Sequence, residues 1–273
     1  MSFRINTNVG ALNAHRSLTQ NTEAFNKSMD RLSSGRRIVT AADDAAGLAI
    51  ANKFRADVRS MRVAERNIAE ATSLIGIAEG AAQGSEQLLE RMKELATQAA
   101  SVNAEGGLDA IDEEFQALKA ELDRVSQSTQ YQDTTLLDGT FEGTFQIGPS
   151  NDAFYQLTVD LSAVDMSAAG LGVDALSLDT QANAQAALDV LDTAIDTANS
   201  ALGELGAYQN RLDASLDNVR QTTISYVASE SVIRDVDFSA EMTNFSRGQV
   251  QQQVGAAMLA SANASAQTVL ALL

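Results

Sequence analysis

Between Leu188 and Tyr226 the chain carries an unbroken alternation of three- and four-residue steps. Leu188, Leu191, Ile195, Ala198, Leu202, Leu205, Gln209, Leu212, Leu216, Val219, Thr223 and Tyr226 all fall on it, and only Gln209 and Thr223 are polar. A hydrophobic repeat of 3.5 residues specifies a helix with one apolar seam, the pattern of a coiled coil. As helix the segment spans roughly 57 Å, at 1.5 Å of rise per residue. A seam that long has to be covered along its whole length.

The N-terminal half carries the matching element. Phe54, Val58, Met61, Ile68, Ile75, Ala78, Ala82, Leu89, Met92 and Ala96 follow the same repeat, with Glu65, Thr72 and Ser85 at the skipped core positions. Gly76, Gly80 and Gly84 share one face of this helix. They are either glycines tolerated in a long helix or a place where another backbone comes near. A third helix is expected from Leu108 to Gln127 on Ile111, Phe115, Leu118, Leu122 and Val125, after a break at ASVNAEGG. Composition agrees with long helices and a thin core. The chain has one Pro and no Trp, and aromatics make up 5%.

The period changes in mid-chain. YQLTVDL alternates apolar and polar residues from Tyr155 to Leu161, and GTFQIG precedes it across PSND. That pattern predicts a β-hairpin at about 143–161 with Pro149 in the turn. Residues 162–180, rich in Ser, Ala, Gly and Leu, read as a connector. The two ends are weakly amphipathic. Ile5, Val9, Leu12, Leu18, Phe25, Met29 and Leu32 mark one, and Met242, Phe245, Val250, Val254, Met258, Val269 and Leu270 the other. Neither has enough apolar area for a core of its own, so each needs the other or further copies of the chain. The fold class is therefore mainly α, with long antiparallel helices and one small hairpin.

Several function classes fall away. The net charge of −17 argues against nucleic acid as a partner. No run approaches the ~18 apolar residues of a membrane span, so membrane insertion is not expected. There is no cysteine for thiol chemistry or zinc, and His15 is the only histidine. No phosphate-cradling glycine loop is present, and the adjacent Asp43 and Asp44 would splay by ~100° on a helix. We expect no enzyme and no catalytic, cofactor-binding or metal site. The charge is also uneven: residues 1–66 hold 11 Lys/Arg against 6 Asp/Glu, and residues 67–273 hold 8 against 30. Arg55, Arg59, Arg62 and Arg66 form a basic stripe, read as an intersubunit contact for carboxylates. The uncharged polar set Gln249, Gln252, Asn263 and Gln267 shares a face of the last helix.

RLSSGRRIVTAADDAAGLAIA, from Arg31 to Ala51, reads as a joint between helices. Gly35 can take the left-handed conformation that ends a helix. Thr40 and Asp43 have the form of a capping box, the Thr40 hydroxyl accepting from the Asp43 amide and Asp43 reaching back.

The same stretch resembles the N-terminal signature of bacterial flagellin. SFRINTNVGALNAHRSL, ERMKELATQAAS, ELDRVSQSTQYQDTTLLDG, GAYQNRLDASLDNV and the C-terminal IRDVDFSAEMTNFSRGQVQQQVGAAMLASANASAQTVLALL extend the resemblance over nearly the whole chain. It implies a structural subunit that self-assembles into the flagellar filament used for swimming. The family's architecture then assigns residues 1–40 and 235–273 to terminal helices of an inner tube. Residues 41–234 become a rod domain with helices 41–100, 108–127 and 181–230. Only the hairpin and connector stand where most members carry outer domains, so a minimal form is expected. On this reading the 249–267 polar face would line the lumen. Expected partners are further flagellin copies, a flagellin chaperone, the flagellar export apparatus, and the filament cap and hook-junction proteins. A host Toll-like receptor is the last. By resemblance the receptor would read Arg91, Leu95 and Glu114, with Leu95 an apolar knob beside a forked donor. Export to the extracellular filament without a cleaved signal peptide is also implied. A hook-associated junction protein shares the terminal motifs, and a soluble coiled-coil adaptor shares the heptads alone.

Overall fold

The computed structural model describes residues 7–104 and 107–271, the stretch 265–271 by backbone alone. Five long helices dominate: α1 (Val9–Ser34), α2 (Ala45–Ala99), α3 (Leu108–Ser128), α4 (Gln181–Arg234) and α5 (Phe238–Ala271). Four short strands fill the middle: β1 (Gln130–Tyr131), β2 (Thr134–Thr135), β3 (Glu142–Gln146) and β4 (Gln156–Asp160). The chain falls into two compact units, Arg59–Ile224 and Met1–Val58 with Ser225–Leu273. The division falls inside α2 and α4, whose outer ends meet in the smaller unit. The ring of Phe54 lies 5.3 Å from that of Tyr226.

In the larger unit α2 and α4 run antiparallel. The Thr223 hydroxyl meets the Met61 sulfur at 3.6 Å, Gln209 bonds Glu79, Lys93 pairs with Asp192, and Gln181 Nε2 donates to Ala100 O at 2.9 Å. The partner numbers fall on one helix as they rise on the other. The buried line of α4 is Ala184, Ala187, Leu191, Ala194, Ala198, Ala201, Leu205, Leu212 and Val219. Five of the twelve expected seam residues, Leu191, Ala198, Leu205, Leu212 and Val219, lie at its centre. Leu188, Ile195 and Leu202 are half-buried on the flank, and alanines take the middle. The same happens on α2, where Ala64 and Ala71 are buried in place of Glu65 and Thr72. A helix that faces more than one neighbour needs a wider apolar face than a two-stranded seam, and alanine at its centre lets backbones approach.

Helix α3 folds back beside α2 and buries Phe115 and Leu122. Strands β1 and β2 form a minute hairpin whose turn holds Gln132 and Asp133 at positive φ. Strands β3 and β4 pair antiparallel from Glu142↔Asp160 to Gln146↔Gln156. The stretch read as a connector is part of the core. Val164, Met166, Ala168, Leu171, Val173 and Leu178 are buried, and helix α3 ties its backbone down. Asp123 accepts from the Ala168 amide at 2.8 Å, Lys119 Nζ donates to Asp174 O at 2.6 Å, and Asp112 accepts from the Leu178 amide at 2.5 Å.

The smaller unit is built on α1 and α5, also antiparallel. Phe25 stacks on Phe245 with ring centroids 4.8 Å apart, and Ser28 bonds Glu241. Gln252 Nε2 donates to Thr22 Oγ1 at 3.2 Å, and Asn8 Nδ2 donates to Ala262 O at 3.0 Å. Added methyl groups at Gly248 and Gly255 would meet Phe25 at 3.3 Å and Leu18 at 3.1 Å, so these two glycines set the closeness of the helices.

Candidate assembly site

The joint between α1 and α2 is closed by backbone pairing with the end of α4. Gly35 ends α1 at φ +69. Arg36 then bridges Asp235, the Arg37 amide donates to Arg234 O at 2.7 Å, and the Val236 amide donates to Gly35 O at 3.1 Å. Arg37 Nη2 adds a bond to Ile233 O at 2.6 Å, capping carbonyls that the end of α4 leaves free. The expected capping box is half present. Asp43 Oδ2 does accept from the Thr40 amide at 2.9 Å, and from the Val39 amide at 3.2 Å. The Thr40 hydroxyl, however, donates to Asp43 at 3.1 Å, and the Asp43 amide goes to the Thr40 carbonyl. This closes a turn, and α2 begins only at Ala45. Its cap is Asp44, whose Oδ1 accepts from the Gly47 amide at 2.9 Å. The Thr40 backbone bond, the Thr40 hydroxyl, the Val39 amide and the Arg31 charge hold the Asp43 carboxyl below the ordinary aspartate range.

Along α2, Arg59, Arg62 and Arg66 are exposed, and among the described residues none has a hydrogen-bond or ion-pair partner. Arg55 is half-buried and donates to Asn52 Oδ1 at 2.9 Å. On α5, Gln249 and Asn263 are exposed, but Gln252 is turned inward to Thr22 and leaves the open polar face. The side chain of Gln267 lies outside the described residues.

The patch around Arg91 differs from its expectation. The Arg91 fork is engaged, Nη1 with Glu94 Oε2 at 2.8 Å and Nη2 with Glu114 Oε1 at 2.8 Å. Both acids, Glu94 first, raise its basicity. Leu95 is only 2% exposed, so it is a core residue and no surface knob. A buried seam residue and a surface one differ by one position on a helix, and the motif alone does not separate them.

A shallow groove of about 380 Å³ lies where α2 meets the β3–β4 turn, bordered by Ser60, Val63, Asn67, Gln146, Pro149 and Asn151. Asn67 Nδ2 donates to Gln146 O at 2.9 Å, fixing the hairpin on the helix. Its lining holds no titratable side chain, so it offers no acid or base. Among the described residues no cluster of His, Cys, Asp and Glu could hold a metal, and no helix is long and apolar enough to cross a membrane.

What the surface does offer is unpartnered apolar side chains on the paired terminal helices: Val9, Leu12 and Met29 on α1, and Met242, Val250, Val254 and Met258 on α5. Charged and apolar groups left open along helices suit contact with further chains.

Comparison with known proteins agrees. Residues 5–142 match the bacterial flagellin N-terminal helical region, and residues 188–273 match the bacterial flagellin C-terminal helical region. A flagellin of Halalkalibacterium halodurans is 41% identical over 271 residues, covering 98% of this chain and 99% of that protein. A flagellin of Bacillus subtilis is 37% identical over 307 residues, covering 99% and 100%. A solved structure from Vibrio parahaemolyticus, assigned to a flagellar hook-associated protein, superposes with a TM-score of 0.58 over 70% of this chain and 99% of that one. At 15% identity it shares the fold alone. The two matched regions leave only 143–187 between them, the hairpin and the packed connector, in keeping with a minimal form. The chain belongs to the bacterial flagellin family, whose members are structural subunits of the flagellar filament.

Proposed function

We propose that this filament subunit polymerises by packing its terminal helices into an inner tube, with the unit of residues 59–224 serving as the rod outside it. The observation that carries this reading is the apolar surface left on α1 and α5. Leu12, Val254 and Met258 are 61%, 56% and 63% exposed, while the seam between the two helices holds Leu18 and the Phe25–Phe245 stack among small and polar residues. A pair so lightly packed gains most of its burial from neighbours, at ~25 cal/mol per Å² of apolar area covered. The double variant Val254→Asp/Met258→Asp tests it. We expect monomer helicity close to that of the parent and no filaments by electron microscopy. Filaments in parental yield would overturn the reading.

The finer assignments follow from the same picture. Exposed and uncharged, Gln249 and Asn263 suit a lumen that passes chains without holding them. The open arginines of α2 meet carboxylates of adjacent copies. The proposed partners beyond the homopolymer are a flagellin chaperone, the flagellar export apparatus, the filament cap and the hook-junction proteins. Export then proceeds through the flagellum without a cleaved signal peptide. A host Toll-like receptor would read Arg91 and Glu114 on the released monomer, with Glu94 replacing Leu95 in the contact.

A further inference from the structure

The smaller unit contains a buried cation that nothing among the described residues neutralises at hydrogen-bond distance. Arg234, the last residue of α4, is 7% exposed, and its Nε and Nη1 have no hydrogen-bond partner. Glu230 Oε1 lies 3.9 Å from Nη1, beyond hydrogen-bond reach. Arg36 is bridged through its backbone to Asp235, the next residue in the chain, and its charge opposes that of Arg234. Asp235 also faces the group, but its Oδ2 accepts from the Ser231 hydroxyl at 2.6 Å and its backbone is committed to Arg36. Burial, then the charges of Arg36 and Arg55, lower the basicity of Arg234.

A desolvated guanidinium with idle donors, flanked by like charge, destabilises the free chain. A hydrophobic side chain of the same length would fill the space without that penalty. Idle, forked N–H donors beside the positive charge of Arg36 match one ligand chemistry, an oxyanion taken by a planar fork. The carboxylates at hand in an assembly are those of the chain itself, since residues 67–273 hold 30 Asp/Glu against 8 Lys/Arg.

We infer that Arg234, with Arg36 beside it on the paired backbone, forms an oxyanion site at the helix joint, filled in the assembled state by a carboxylate of a second copy of this chain. The inference rests on the filament-subunit reading above and adds to it a specific contact. In the monomer the buried donors of Arg234 go unmet and cost stability. In the polymer the incoming carboxylate satisfies the idle donors, so the contact favours assembly over folding.

The experiment uses the full chain and the variants Arg234→Met and Arg36→Met. Thermal unfolding of the monomer is compared in sodium phosphate and sodium chloride at equal ionic strength, inorganic phosphate standing in for the carboxylate. Phosphate should raise the parental Tm, and Arg234→Met should abolish that rise while melting at or above the parental temperature in chloride. The critical concentration for polymerisation in chloride should rise about tenfold or more in Arg234→Met, as expected for loss of one partner of a desolvated charge pair, and less in Arg36→Met. No phosphate-specific shift in the parent would overturn the oxyanion site. A phosphate shift with unchanged assembly of Arg234→Met would assign the site to a free oxyanion and overturn the second-copy carboxylate. If Arg234→Met melts well below the parent in chloride, Arg234 is a structural residue and the inference fails. Failure of the parent itself to polymerise would strike the filament reading instead.

Discussion

Ser85 shows what a single position does inside a thin core. It is fully buried on α2, and its hydroxyl has no hydrogen-bond partner among the described residues. The heptad pattern already marked it as a polar intrusion. The same pattern misplaced Glu65 and Thr72, because the helix turns Ala64 and Ala71 inward instead. A buried hydroxyl left unpaired costs ~1–3 kcal/mol, and alanine at the same place removes the cost with little loss of volume. We expect Ser85→Ala to stabilise the monomer by about 1 kcal/mol in urea unfolding, with the m-value unchanged. A destabilised variant would mean that the hydroxyl is paired. Arg234 is the harder case at this scale. Nothing in its sequence context marks it, since a helix-terminal arginine is ordinarily a solvated partner of the helix dipole. Its burial follows from the backbone pairing of Arg36 with Asp235, a contact between residues 199 apart in sequence.

At the scale of the element, periodicity located every long helix. α2, α3 and α4 run at 45–99, 108–128 and 181–234 against expectations of 41–100, 108–127 and 181–230. The four-residue miss at the start of α2 has a local cause: Asp43 closes a turn with Thr40, and Asp44 takes the cap. The strands β1 and β2 were missed because two residue pairs and a positive-φ turn leave no alternation to read. The connector was misjudged because its burial depends on α3 side chains that bond its backbone, and not on its own pattern. The glycines of α2 left two readings open, and within the chain one of them gains. A methyl group added at Gly76, Gly80 or Gly84 would meet nothing within 4 Å. Each glycine then costs the helix ~0.5–1 kcal/mol relative to alanine. The triple variant Gly76→Ala/Gly80→Ala/Gly84→Ala should raise the monomer Tm by several degrees in a calorimetric scan. A fall would mean that the face is closed in the monomer.

At the scale of the whole molecule the dominant feature is the sign of the charge along the chain. An excess of basic residues over 1–66 and a larger excess of acidic ones over 67–273 cannot be neutralised by the few ion pairs among the described residues, half of which join near neighbours on one helix. Among the described residues Arg59, Arg62 and Arg66 stay unpaired on one face of α2, in register with the turns of the helix. Assembly brings copies together in a repeating lattice, so a pair worth only ~0.2–1 kcal/mol at one contact recurs for every subunit added. Single neutralisation should therefore be mild, and reversal at two positions severe, because each reversed charge also repels the carboxylate it would have met. We expect Arg59→Glu/Arg62→Glu to keep parental helicity by circular dichroism and to raise the critical concentration for polymerisation. The defect should weaken as salt rises from 0.05 to about 0.5 M, where exposed charges are screened within a few ångströms. It should also leave the phosphate response at Arg234 intact, since that site uses other side chains. Filaments formed at the parental critical concentration in low salt would refute a role for this stripe in joining subunits.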